Sequence, residues 1–220
     1  DMRWLIDNEY LAPYRLLAPP TAIRMKSVKV SQATGDYTRN TLSTAMADSQ
    51  IVGDIVKHYK KFADGLQGVV FTIDVTTAVS VAEQFVKAGI PAVAVSAKTK
   101  DADRARAIKQ FREKAIRVLV NFDLFSEGFD VPGIEVVQFA RPTMSYAVYS
   151  QQFGRALRWV EGKTAVILDH VNNYARHGLP DVSREWTLDR RTGRKSERDP
   201  DLIPMKTCLS DDCMRAYEAF

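Results

Sequence analysis

Cys208 and Cys213 are the only cysteines in 220 residues. So few thiols in a chain this long exclude a disulfide framework. No apolar run approaches the roughly 20 residues needed to cross a bilayer. The amino terminus, DMRWLIDNEYLAPYR, lacks the basic start and apolar stretch of a secretion signal, so a cytoplasmic location and no membrane partner are expected. Two nucleotide signatures are also missing. There is no G-x-x-x-x-G-K-[ST] phosphate loop and no Gly-rich dinucleotide turn. No acidic pair follows an expected strand, as a magnesium site would need. The chain is therefore not a self-sufficient P-loop NTPase. Internal repeats and low-complexity segments are absent as well.

What is present is ordinary for a soluble globular protein: 45% hydrophobic and 26% charged residues. The length suits one domain plus extensions, or two small domains. The formal charge is +4. Its distribution says more than its total. From Lys98 to Arg117 eight basic residues face three acids, whereas from Arg184 to Asp199 six face four. The first cluster reads as a basic face or as a solvated surface.

Short apolar runs alternate with helical patterns. Tyr14–Ala18 reads as a strand stopped by Pro19 and Pro20. Gly35-Asp36 reads as a turn. Asp48 caps a helix with Ile51, Ile55, Tyr59 and Phe62 at helical spacing. Further strands are expected at Val69–Ile73, Ala92–Val95, Arg117–Val120, Glu135–Phe139 and Thr164–Leu168. Between them, Asp74 caps a helix that Gly89 ends. Asp101 opens another, with Ala102, Ala105, Ile108 and Phe111 inward. Ser145 caps a third, running to about Leu157. Such alternation predicts an α/β fold: a three-layer parallel sheet with helices on both faces. Ligands in these sheets bind beyond the carboxyl ends of the strands. His58, His170 and His177 are expected to be structural.

Three constellations carry possible chemistry. In Gln151-Gln152-Phe153-Gly154-Arg155-Ala156-Leu157-Arg158, steps of four and three place Gln151, Arg155 and Arg158 on one helical face. Two arginines there form a fork suited to polyphosphate, with Gly154 permitting close approach; a solvated face with ion pairs is the plainer reading. In Asn121 to Pro132, Gly128 allows a backbone turn. Asp130 can accept from a ribose hydroxyl or an arginine; taken alone, the segment reads better as a capped turn, with Asp130 holding the loop before Pro132. Thr72, with Ser96, Lys98 and Thr99 after the next strand, offers hydroxyls and an amine to phosphates or serves as helix caps.

In this order the segments resemble the carboxyl-terminal RecA-like domain of superfamily 2 helicases. Phe71–Asp74 looks like the family's fourth motif, Asn121–Pro132 the fifth and Gln151–Arg158 the sixth. The wording S-E-G-F-D-V-P, A-R-P-T and Q-Q-F-G-R-A-L-R is similar to the branch of type III restriction motor subunits and XPB-like helicases. Asp169-His170 and Arg176 to Pro180, followed by Arg184-Glu185-Trp186, look like that branch too.

The resemblance implies a P-loop NTPase fold without its own P-loop, serving as second motor domain of an ATP-dependent DNA helicase. Arg155 and Arg158 would be arginine fingers, with Gln151 positioning them or the attacking water. Glu127, Gly128 and Asp130 would sense ATP. Thr72, Ser96, Lys98, Thr99 and Asn121 would line the nucleic-acid track, although Asn121 stands where many relatives have threonine. ATP and Mg2+ would be held mainly by the N-terminal RecA-like domain of the same protein. DNA is the expected polymer, with RNA left open. Residues 1–65 would be a lead-in to the first motor domain, 66–188 the RecA-like core, 189–204 a charged linker and 205–220 the truncated start of a zinc ribbon. Cys208 and Cys213 read as two free surface thiols, or as half of a zinc site completed only in a longer chain. The competing reading is a non-catalytic nucleic-acid-binding or interaction module on the same fold. A small-molecule enzyme lacks any cofactor motif here.

Overall fold

A computed structural model describes residues 1–20, 25–47, 51–123, 133–184 and 204–219. Six strands form one parallel sheet: β1 (Tyr14–Leu17), β2 (Gly68–Phe71), β3 (Ala92–Ser96), β4 (Val118–Phe122), β5 (Val136–Phe139) and β6 (Ala165–Asp169), in the order β1-β6-β5-β2-β4-β3. The strands are those expected, within about two residues at each end. β2, β5 and β6 are buried along their whole lengths, whereas β1 and β3, at the edges, are only partly buried. This is why the inner strands read as unbroken Val, Leu, Ile and Phe: a parallel sheet covered on both faces needs apolar side chains on both.

The helices are α1 (Met2–Asp7), α2 (Arg39–Ala47), α3 (Ile51–Phe62), α4 (Val75–Lys87), α5 (Asp101–Arg112), α6 (Tyr146–Gly154) and α7 (Asn173–His177). Right-handed crossovers move rightward through α3 and α4 and back through α5 and α6, which places the two pairs on opposite faces. α4 starts where expected: the Asp74 carboxylate accepts the Thr77 N–H at 2.6 Å. It ends at Gly89, whose φ of +81° suits glycine.

Two expectations are corrected. α5 buries Ala107 and Phe111, while Ala102 and Ala105 are exposed. Stepping back from Phe111 in threes drifts about 60° per step on a 3.6-residue helix. By Ala102 the stripe has reached the opposite side. α6 ends at Gly154 rather than near Leu157.

Residues 25–47 form an excursion between β1 and α3. A short 3-10 turn (Met25–Ser27) leads to a Val30–Tyr37 bridge around Gly35, and then to α2. At the other end of the chain, β7 (Met205–Thr207) and β8 (Ala216–Glu218) make an antiparallel hairpin. It is joined to β1 by a Leu17–Arg215 bridge and by an Ala18 N–H to Met214 carbonyl bond of 2.8 Å. The start expected for a linker at 189 and most of that segment lie outside the described residues. Among the described residues no helix is long and apolar enough to cross a membrane.

Candidate functional site

α6 is anchored before it presents anything. The Ser145 hydroxyl caps it by accepting the Val148 N–H at 3.3 Å. Tyr149 and Phe153, one turn apart, are fully buried against Phe139 of β5, with ring centroids at 5.4 and 6.3 Å. Phe153 also meets the Tyr14 ring edge-on at 4.9 Å. Gly154 then ends the helix.

The next residues continue as a tighter turn. The N–H groups of Arg155, Ala156 and Leu157 donate to the carbonyls three residues back, Gln152, Phe153 and Gly154. Ala156 and Leu157 are buried. The Leu157 carbonyl accepts the Ala12 N–H at 2.8 Å, and Arg158 bridges Leu11. The Lys163 ammonium donates to the Arg158 carbonyl at 2.8 Å. Burial, with Arg158 nearby, lowers the Lys163 pKa to about 8. The expected single helical face for Gln151, Arg155 and Arg158 therefore does not exist. Gln151 is on the helix, Arg155 on the turn and Arg158 on an extended segment paired to the lead-in. Arg155 and Arg158 are each half-buried, and the backbone of their turn is fixed from both sides. A Cβ on Gly154 would meet nothing within 4 Å, so the space beside it lies outside the chain's own packing.

Glu127, Gly128 and Asp130 lie outside the described residues. Thr72 and Asn121, at the carboxyl ends of β2 and β4, are 1% and 3% exposed. The Thr72 hydroxyl donates to the Asn121 carbonyl at 3.1 Å, a cross-strand latch rather than a surface contact. Ser96 is also buried, and its hydroxyl accepts the Lys98 N–H at 3.2 Å. The Thr99 hydroxyl accepts the Ser96 N–H at 2.9 Å. These two residues shape the turn after β3, from which Lys98 projects exposed.

The histidines are structural, as expected. His177 bonds the Thr143 carbonyl at 2.9 Å and stacks on Tyr149. His170 bonds the Gln138 amide oxygen at 3.1 Å and stacks on His58; burial pushes its pKa down to about 3.

A cluster not foreseen stands at the carboxyl ends of β4 and β5. Arg39, the first residue of α2, meets the Asp123 carboxylate at 2.6 Å, and Arg141 meets the other oxygen at 3.8 Å. Arg141 also faces Asp36 at 3.7 Å. Asp36 accepts from the Thr143 hydroxyl at 2.8 Å and the Met144 N–H at 2.7 Å. The A-R-P-T wording hinted at Arg141, and nothing local pointed to Arg39.

Among the described residues no group of three or more His, Cys, Asp or Glu side chains could hold a metal ion. Cys208 and Cys213 flank the hairpin turn. Cys213 is drawn below the usual thiol range by the Arg215 N–H and the Cys208 thiol.

Comparison with known proteins agrees with this fold. Residues 50–160 match the helicase conserved C-terminal domain. A 51.5 kDa protein of a Lactococcus phage is 37% identical over 212 residues, covering 96% of this chain and 46% of the phage protein. The irc3 protein of Schizosaccharomyces pombe, which carries the name of a mitochondrial ATP-dependent helicase, is 40% identical over 111 residues, covering 50% of this chain and 18% of its own. The chain thus spans less than half the length of these relatives. The solved structure of the E. coli DEAD-box protein SrmB, bound to regulator of ribonuclease activity A, superposes with a TM-score of 0.51 at 18% identity, covering 71% of this chain and 76% of that one. With half the chain matched by the family and a six-stranded parallel sheet of RecA-like form beneath it, the chain belongs to the helicase conserved C-terminal domain family.

Proposed function

We propose that this chain is the second motor domain of an ATP-dependent DNA helicase or translocase. It supplies arginine fingers to ATP and Mg2+ that the N-terminal RecA-like domain of the same protein holds. The observation that carries this reading is the turn after α6. Its backbone is pinned by Ala12, Leu11 and Lys163, while the Arg155 and Arg158 side chains stay at half-buried ground beside an open Gly154. A guanidinium on a rigid turn keeps its aim without reorganising as charge develops on the transferred phosphoryl group. Placing it on a second domain makes hydrolysis depend on closure of the cleft. Gln151, one turn earlier on α6, orients the fingers or the attacking water. Glu127, Gly128 and Asp130 complete the nucleotide contacts.

Lys98 and Thr99, on the turn after β3, face the nucleic-acid backbone. Thr72, Ser96 and Asn121 support that track from beneath. DNA is favoured over RNA by the restriction-like wording of the motifs. The hairpin bearing Cys208 and Cys213 gives two of the four thiolates of a structural zinc site, completed by residues beyond this chain. The two thiols fit that role because one hairpin turn holds them together, Cys208 N–H donating to the Arg215 carbonyl and Cys213 N–H to that of Ser210.

The test is steady-state ATP hydrolysis by the full-length protein with and without DNA. Arg158→Ala should lower DNA-stimulated turnover by about 10³-fold or more, the scale of a lost arginine finger. ATP binding should remain nearly unchanged. Near-normal turnover in that variant would remove the finger assignment and favour a non-catalytic nucleic-acid module.

A further inference from the structure

We propose that Arg39 and Arg141 form a fork for a backbone phosphate of a nucleic-acid strand, and that the Asp123 carboxylate is the group this phosphate displaces. The proposal deepens, and rests on, the reading of the chain as a nucleic-acid motor domain.

The cluster stands where ligands of parallel sheets bind, beyond the carboxyl ends of β4 and β5. Its two guanidinium groups arrive from different elements: Arg39 from the start of α2, Arg141 from just past β5. Each takes one oxygen of the same carboxylate, at 2.6 and 3.8 Å. Two cations set on two oxygens of one small anion is the arrangement that the non-bridging oxygens of a phosphodiester would also satisfy.

The two arginines are held, but not by Asp123 alone. The Arg39 guanidinium lies over the Phe122 ring, 5.2 Å from its centroid, which fixes its plane. Arg141 is braced by Asp36, which the Thr143 hydroxyl and Met144 N–H hold in turn. Removal of Asp123 would therefore leave both groups near their present positions.

Asp123 itself is the exchangeable member. Its side chain is 42% exposed and that of Arg39 is 63% exposed, so their pair contributes little in water. It holds this place through a left-handed backbone, φ +57°, that few non-glycine residues adopt. A strand phosphate offers the same two oxygens and releases counterions as it binds, a gain the internal carboxylate lacks. Two other arginine pairs differ. Arg104 and Arg106 each bond an acid three residues back on α5, and among the described residues no second cation meets either carboxylate.

The experiment is fluorescence anisotropy of labelled oligothymidylate and oligouridylate with the full-length protein, without nucleotide, across a salt series. Arg39→Ala and Arg141→Ala combined should flatten the plot of log affinity against log salt by about 0.7, the share of the one single-strand phosphate that both groups hold, and each alone by part of that. Asp123→Asn should tighten binding, by up to about fivefold, as the competing exposed carboxylate loses its charge. A slope in Arg39→Ala equal to the parent's, or binding by Asp123→Asn no tighter than the parent's, overturns the fork. Arg141 is partly buried, so thermal melts accompany its variant; if it melts early, Arg39→Ala and Asp123→Asn decide. Failure of the parent protein to bind either polymer defeats the motor reading and the fork together. A binding parent with unaffected arginine variants defeats only the fork. The two oligonucleotides separate DNA from RNA as the source of the phosphate.

Discussion

Two polar clusters in this domain use similar bonds at very different depths. His58, His170 and Gln138 lie inside, between α3 and the sheet, each 5% exposed or less. Asp36, Arg39, Asp123 and Arg141 stand at the rim. Inside, burial removes charge: the His170 pKa falls to about 3 and that of His58 is also lowered, both chiefly by desolvation. At the rim, solvent reaches both members of the Arg39–Asp123 pair and makes that pairing weak. The inner cluster can only be a fixed part of the fold. The outer one can exchange partners, which is what a binding surface requires.

The largest effect that would sharpen this contrast comes from the apolar layer across the sheet from the inner cluster. Phe153 packs among Tyr14, Phe139 and Tyr149 and anchors the turn that carries Arg155 and Arg158. Phe153→Ala should cost about 3–5 kcal/mol in urea unfolding. A cost below 1 kcal/mol would show that α6 is not held by this packing.

The inner histidines set the next largest effect. Their ordinary pKa is about 6.5, and in the fold it is depressed, so the folded state prefers them neutral. Stability from this source is full above about pH 6.5 and declines as pH falls below it, for His170 by about 1.4 kcal/mol per pH unit. His170→Gln should lower stability at neutral pH yet flatten its dependence between about pH 6.5 and 5. An unchanged slope in urea melts across that range would place the imidazole in contact with water, and the two clusters would no longer differ in kind.

Much of the inner region was legible in the sequence because burial leaves local marks. The runs GVVF, VLVNF, VVQF and AVILD are apolar at every other position and at most positions between, and all four became inner strands. Ser145 and Asp74 announced helix starts that the structure keeps. The α5 face was misread because alanine is equally at home inside and outside, and only Phe111 marked the phase. The end of α6 was misplaced because the Leu157–Ala12 bond that draws the chain away joins residues 145 apart in sequence. The rim cluster was illegible for the same reason. Arg39 and Asp123 are 84 residues apart, and each alone is an ordinary surface charge. Sequence motifs thus pointed to Arg155 and Arg158 and passed over Arg39, whose partner is supplied by topology.

The smallest effect tests whether the rim is as exchangeable as its exposure implies. Arg39 ties α2 to the end of β4 through Asp123, and the Ser43 hydroxyl on Asp74 ties α2 to the start of α4. If the ion pair only occupies a binding surface, Arg39→Ala should cost less than about 1 kcal/mol in thermal or urea unfolding, because an exposed pair gains little over hydration of its members. The lost contact with Phe122 is included in that figure, since a cation over an exposed ring contributes about 0.5–1 kcal/mol at most. A cost of 2 kcal/mol or more would mean the opposite. Arg39 would then be a clamp holding residues 25–47 on the sheet, its guanidinium could not be surrendered to a phosphate, and the rim would be as fixed as the histidine cluster beneath it.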